Sequence, residues 1–317
     1  MKQILGRTTG IGAALSAAAF LGLAPIFGKQ AFLIGFSPLL VVAVRTALAA
    51  FLLLVLMVLF RRPFLYIYPA GLLGCGLAGA INGIGSILYY LALERLTASV
   101  GQLLYSLYPI FLALWLALDF QPPGRITRLR MAIAMLGVLF LTYVKPAEID
   151  WLGVALMLGA SAMYALHLPI NQRVLYDIPA PTVTLYTLLA MSMVVVPAYL
   201  VFDRSLPIAG ASWGPVLALS MVTFFSRLTL FLGVKHLGGM QTALLSLSEL
   251  LITIVVSRLW LHENLLPMQW AGAALLLISI ALIGWEKIVP NRRHKSGWLK
   301  WLRPPGIPPD ITWGAGE

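Results

Sequence analysis

The chain is poor in charge and has almost no cysteine. Only 10% of its 317 residues are Asp, Glu, Lys or Arg against 60% that are apolar, and the mean hydropathy is +0.92. That balance leaves too little polar surface to cover a soluble globule, so an integral membrane protein is expected. A single cysteine, Cys75, sits among small apolar residues, which excludes a disulfide framework or a thiolate metal site built within the chain. His167, His236, His262 and His294 are too far apart for ligand spacing, so no metal and no other cofactor is expected. No His-Glu-x-x-His, Gly-x-Ser-x-Gly or P-loop run occurs, and nothing points to an enzyme or an ATP-driven pump. Gly74-Cys75-Gly76-Leu77-Ala78-Gly79 has the form of a dinucleotide-binding turn, but it lies inside an apolar span with no strand before it and reads as helix packing. The net charge of +11 might suit nucleic acid, yet the basic residues stand singly between apolar spans, which speaks against that partner.

What the chain does have is long apolar runs. Ten spans are read at about 8–27, 37–60, 68–93, 96–118, 129–145, 151–172, 181–202, 211–235, 238–261 and 267–287, most of them near the roughly 20 residues that cross a bilayer as helix. The alternation of a transmembrane β-barrel is missing, so the expected fold class is an all-α integral membrane protein. The spans come as two copies: residues 8–146 read again as 149–287 at an unbroken offset of 141, with Gly12/Gly153, Pro38/Pro179 and Thr46/Thr187 among the coincidences. Five spans per copy turn the second copy upside down. The expectation is ten transmembrane helices as two inverted five-helix repeats, a construction known from secondary transporters.

Lys2, Arg7, Arg61, Arg62, Arg125, Arg128, Arg130, Arg173 and Lys235 fall on one side of the spans, and Lys29, Arg95, Lys145, Arg204 and Arg258 on the other. Positive-inside bias then places both termini in the cytoplasm and the protein in the cell membrane as a multi-pass chain. Residues 288–317 form a tail that combines Arg292, Arg293, Lys295, Lys300 and Arg303 with Trp298 and Trp301. Its composition suits the anionic cytoplasmic lipid surface.

Ionisable groups inside spans are the most informative side chains, because each costs several kcal/mol, roughly 2.5 to 3.5 on insertion scales, unless paired or hydrated. Arg45, His167, Arg227 and Glu249 qualify. Arg227 and Glu249 stand at similar distances from the turn near Leu237 and Gly238, roughly 16 Å at 1.5 Å per residue, and can meet across that hairpin. The functional reading gives Glu249 a proton or a cationic group and Arg227 a carboxylate; the competing reading is an ion pair that only holds two helices together. Arg45 is equally consistent with lining a cavity and with reaching the headgroups from span two. Asn82, Tyr90, Gln102, Tyr105, Tyr108, Tyr164, Thr223, Phe224, Ser246 and Ser248 add polar and aromatic groups at the same depth, where ring faces could hold a cationic or flat solute. Glu263, beside Asn264 at the outer end of span nine, reads as a helix cap.

Gly35-Phe36-Ser37-Pro38 leading to Arg45, Tyr89-Tyr90 with Ala92-Leu93 before Ser99, Pro109 in span four, and Glu249 followed by Glu263 occur in that order. Over nearly the whole chain except the tail, they resemble the EamA-like branch of the drug/metabolite transporter superfamily. The resemblance implies a ten-helix carrier of small organic solutes, with a central cavity between two five-helix halves lined by spans one, three, four, six, eight and nine. The chain departs from the pattern twice. Leu250 follows Glu249 where relatives have proline, which leaves a distortion of span nine without its usual cause, and Leu21-Gly22 replaces a Trp-Gly pair in span one.

The expected function is secondary transport of a small organic metabolite, such as an amino acid, an amine or a similar amphipathic solute, by alternating access. Glu249, Arg227, Asn82, Tyr90, Tyr105, Tyr108, Tyr164 and Ser246 are the expected substrate contacts, Glu249 is the candidate for proton coupling, and the partners are that solute, the lipid bilayer and protons. A polytopic membrane enzyme and a passive channel are the competing classes.

Overall fold

A computed structural model describes residues 2–96, 98–141, 150–207, 211–252, 267–285, 297–299 and 302. The described residues are helices joined by short turns: α1 (Lys2–Leu33), α2 (Pro38–Phe60), α3 (Pro69–Arg95), α4 (Ala98–Tyr105), α5 (Tyr108–Leu118), α6 (Arg125–Leu141), α7 (Trp151–Val174), α8 (Ala180–Phe202), α9 (Gly214–Leu237), α10 (Gly239–Ser246) and α11 (Pro267–Ala281). Seven segments are long and apolar enough to cross a membrane, one of them formed by the broken pair α4 and α5, and Gly239–Ile252 and Trp270–Ala281 are shorter apolar helices. The expected ten spans are thus seven, plus shorter pieces, among the described residues. The end of span nine and Glu263 lie outside those residues.

Local chemistry sets the helix starts. Gly35, at φ +90°, turns the chain between α1 and α2, and Ser37 then caps α2, its Oγ accepting from the Leu40 amide at 3.2 Å with Pro38 in the first turn. Asp150 caps α7 in the same way through the Gly153 amide at 3.0 Å and pairs with Arg95 at 3.2 Å. Both caps satisfy amides that a helix start leaves without partners.

Helix packing follows the repeat. α1 packs along α9, and α3 along α7; α2 meets α9 as α8 meets α3; α10 lies on α1 as α4 lies on α7. Shifting both members of a pairing by 141 positions, in opposite directions, gives its counterpart. α2 with α8, and α6 with α11, pair with their own counterparts. Gly79 makes the α3–α8 crossing close: a Cβ there would sit 2.5 Å from the Thr187 carbonyl oxygen and 2.6 Å from the Ala190 Cβ. Small residues at such a crossing substitute backbone proximity for the hydrophobic drive that is missing in lipid.

The outward faces are apolar. Phe51, Leu59, Phe60, Leu73, Met193 and Phe202 are all exposed, a surface that a bilayer satisfies and water does not. The interior carries charge. Arg130, fully buried, donates from Nε to the Ser279 carbonyl at 2.9 Å and from Nη1 to Gln241, tying α6 to α11 and α10. Arg173 binds Asp119 through Nη2 at 2.6 Å and Nε at 3.2 Å, both residues buried. In the sequence both were counted among the basic residues on one side of the spans; both are buried within the bundle.

Of the tail, residues 297–299 and 302 are described, and they dock on the bundle: Leu299 and Leu302 are buried against Ala78 and Ile170, and the Leu299 amide donates to Asp119 Oδ1 at 3.4 Å. Gly297 approaches Asp119 so closely, at φ +97°, that a side chain there would collide with its carboxylate.

Candidate functional site

A cavity of about 60 Å³ opens among α1, α2, α3, α4, α7, α9 and the helical turn that begins at Glu249. All six spans implied by the resemblance supply lining residues, and span two adds Arg45. Asn82, Ser86, Tyr89 and Tyr90 recur at helical spacing and bring one polar stripe of α3 to the cavity. On α1, Leu21 and Pro25 line it together; the proline has no amide to give the Leu21 carbonyl, so that backbone acceptor is released at the cavity wall.

Two interrupted helices deliver the remaining groups. α4 ends at Tyr105 and α5 starts at Tyr108, immediately before Pro109, whose ring and missing amide forbid a continuous helix. α10 ends at Ser246, and helix resumes at Glu249 after a turn at 247 and 248. The two breaks, at 106–107 and 247–248, lie 141 positions apart. The second forms without a proline, which corrects the expectation that span nine lacks a cause for distortion. Both the backbone amide and the hydroxyl of Ser248 donate to the Leu245 carbonyl, at 3.0 and 2.8 Å, and the Leu250 amide reaches Leu247 at 3.1 Å. These i→i−3 bonds draw the chain off the α-helical ladder.

Two hydrogen bonds at the cavity, from Gln102 to Glu249 and from Arg45 to Thr223, cross between the copies. Gln102 Nε2 donates to Glu249 Oε1 at 3.2 Å. Arg45 donates from Nη1 to Thr223 Oγ1 at 3.2 Å and from Nη2 to Ser86 at 3.4 Å, and its guanidinium lies 4.8 Å from the Tyr90 ring centroid. Thr223 gives its own proton to the Leu219 carbonyl at 2.8 Å, which leaves its oxygen aimed at Arg45. The Arg227 guanidinium lies 5.6 Å from the Tyr164 ring centroid. Tyr89, Tyr105 and Tyr164 form a chain of ring contacts, with centroids 4.9 Å apart between the first two and 5.4 Å between the last two. Gly22 touches the second break directly, where a Cβ would meet the Glu249 carbonyl at 2.7 Å.

Of the residues singled out in the sequence, Glu249, Arg227, Asn82, Tyr90, Tyr105 and Tyr164 line the cavity. Tyr108 does not: it is buried, and its hydroxyl donates to the Ala243 carbonyl at 2.7 Å. Ser246 is buried at the end of α10, away from the lining. Arg227 and Glu249 share the cavity without forming an ion pair; among the described residues the ion pairs are Arg95–Asp150 and Arg173–Asp119. His167 is buried behind Tyr164, bonded through Nδ1 to the carbonyl of that residue. Sequence reasoning left Arg45 undecided and missed Ser86. The stripe of Asn82, Ser86, Tyr89 and Tyr90 through a glycine-rich apolar span was the signal that could have found Ser86.

Comparison with known proteins agrees with this architecture. The chain is 24% identical over 233 residues to an uncharacterized transporter of Synechocystis sp., covering 71% of this chain and 69% of that one. It is 23% identical over 282 residues to the uncharacterized transporter YcbK of Bacillus subtilis, covering 85% and 90%. A protein of known crystal structure superposes with a TM-score of 0.70 at 16% identity, over 88% of this chain and 96% of the other, which establishes the shared fold. The EamA-like transporter family matches residues 8–143 and again residues 151–285. The chain therefore belongs to the EamA-like transporter family and is a multi-pass membrane transporter.

Proposed function

We propose that the chain is a secondary transporter of a small organic solute in the cytoplasmic membrane, with both termini cytoplasmic. The solute binds in the cavity between repeats 8–146 and 149–287. Inward and outward states exchange as the two inverted repeats rock against each other. The observation that carries this reading is a cavity lined by the buried side chains of Arg45, Arg227 and Glu249, with hydrogen bonds from Arg45 and to Glu249 that run from one copy to the other. Charge at that depth is costly and is retained where it serves transport. The helix breaks at 106–107 and 247–248 add a second support, since interrupted helices at the repeat interface supply binding groups in carriers.

Glu249 is the proposed proton carrier. A proton gradient imposed on proteoliposomes should drive solute movement by the wild-type protein. In Glu249→Gln the driven movement should be lost while exchange of solute across the membrane persists and the protein remains folded. Unchanged gradient-driven transport by that variant removes Glu249 from coupling. If the solute does not move in either protein, the transport assignment to this cavity fails.

A further inference from the structure

Resting on the transporter reading above, we propose that this cavity selects a net-anionic organic solute, recognised through a carboxylate by Arg45 and Arg227 together. Two guanidiniums and one carboxylate line the space. Neither arginine is ion-paired with Glu249, and the described ion pairs lie elsewhere, at Arg95–Asp150 and Arg173–Asp119. The Arg45 partners are neutral hydroxyls, those of Thr223 and Ser86. Arg45 Nε and Arg227 Nη1 are buried donors without a hydrogen-bond partner among the described residues. A buried guanidinium favours a carboxylate over other acceptors, because the charge-assisted bond is about twice as strong as a neutral one and the planar fork matches two oxygens.

The aromatic rings point to the same conclusion. A tyrosine-lined cavity invites a cationic ligand, which would sit over a ring face. Here the ring of Tyr90 is already taken by Arg45, and that of Tyr164 by Arg227. An amine entering the cavity would meet two positive charges and rings already engaged. A carboxylate would meet donors whose charge no carboxylate of the described residues neutralises by direct pairing. The cavity, at about 60 Å³, has room for roughly four to six water-sized particles at 10–15 Å³ each. The test ligands are therefore chosen as small carboxylates and their neutral and cationic counterparts.

The test uses the intact protein in lipid nanodiscs and a matched three-carbon series: propionate, alanine, propionamide and propylamine, compared by calorimetric binding at one pH. Propionate is expected to bind most tightly. Arg45→Gln and Arg227→Gln are each expected to weaken it about ten- to a hundredfold, as loss of one hydrogen bond to a charged group implies, with Arg45→Lys recovering part of the loss. The wild-type comparison alone decides the matter if a variant does not fold. Binding of propylamine or alanine as tight as that of propionate overturns the proposal, and so does absence of propionate binding. Flux through proteoliposomes separates the two levels of the argument. Arginine-dependent propionate binding without flux defeats the transporter reading and leaves the recognition standing. Flux of amines without propionate binding does the reverse.

Discussion

Arg130 and Arg173 mark the limit of what single residues disclose in a sequence. Both lie near the end of a span, where a basic residue ordinarily reaches headgroup or water. Whether it does so depends on which face of the helix it occupies and on what packs there. Arg173 faces Asp119 inside the bundle, and Arg130 faces the α11 backbone. Arg227 and Glu249 were legible for the opposite reason: they stand so deep in apolar spans that no side chain is long enough to escape. Arg45 fell between the two cases, because its side chain could reach either way. The Asp119–Arg173 pair yields a direct prediction. Breaking a buried charge pair costs up to roughly 3–5 kcal/mol. Asp119→Ala should therefore show a clearly lowered Tm in detergent, whereas Asp150→Ala, at a half-buried site, should lose much less. Equal Tm values for Asp119→Ala and the wild type would contradict the buried pair.

At the scale of elements, apolar runs and their periodic small residues were enough to place most helices, because length and hydropathy are dictated by the bilayer. The break in span nine was not legible, since a reader of sequence looks for proline and finds Leu250. The interruption comes instead from Ser248 and its bonds to Leu245, a weaker signal that many intact helices also carry. Docking of the tail through Leu299, Leu302 and Asp119 was hidden by its basic and aromatic composition, which is equally suited to lipid. The break itself can be tested. A proline is tolerated in the first turn of a helix and costs about 3 kcal/mol or more in its interior. Leu250→Pro gives up the Leu247 bond and a buried side chain but stays within a first turn, so it should lower Tm clearly less than Ala243→Pro, inside α10. A Leu250→Pro protein as unstable as Ala243→Pro would mean that helix runs unbroken through 247 and 248.

For the whole molecule, the offset of 141 residues organises packing, helix breaks and cavity alike. Each copy alone has an incomplete site. Gln102 needs Glu249, and Arg45 needs Thr223 from the other half. Relative movement of the halves would expose the same groups first to one side and then to the other, and the account rests on that exchange. The lone Cys75 makes it measurable, because Cys75→Ala gives a cysteine-free background in which Ser86→Cys places one thiol on the cavity wall. The decisive measurement is labelling of that thiol by a membrane-impermeant maleimide added outside right-side-out vesicles and, separately, outside inverted ones. Reaction from both sides, in vesicles that stay tight to the reagent, is the predicted result; reaction from one side only would contradict alternating access.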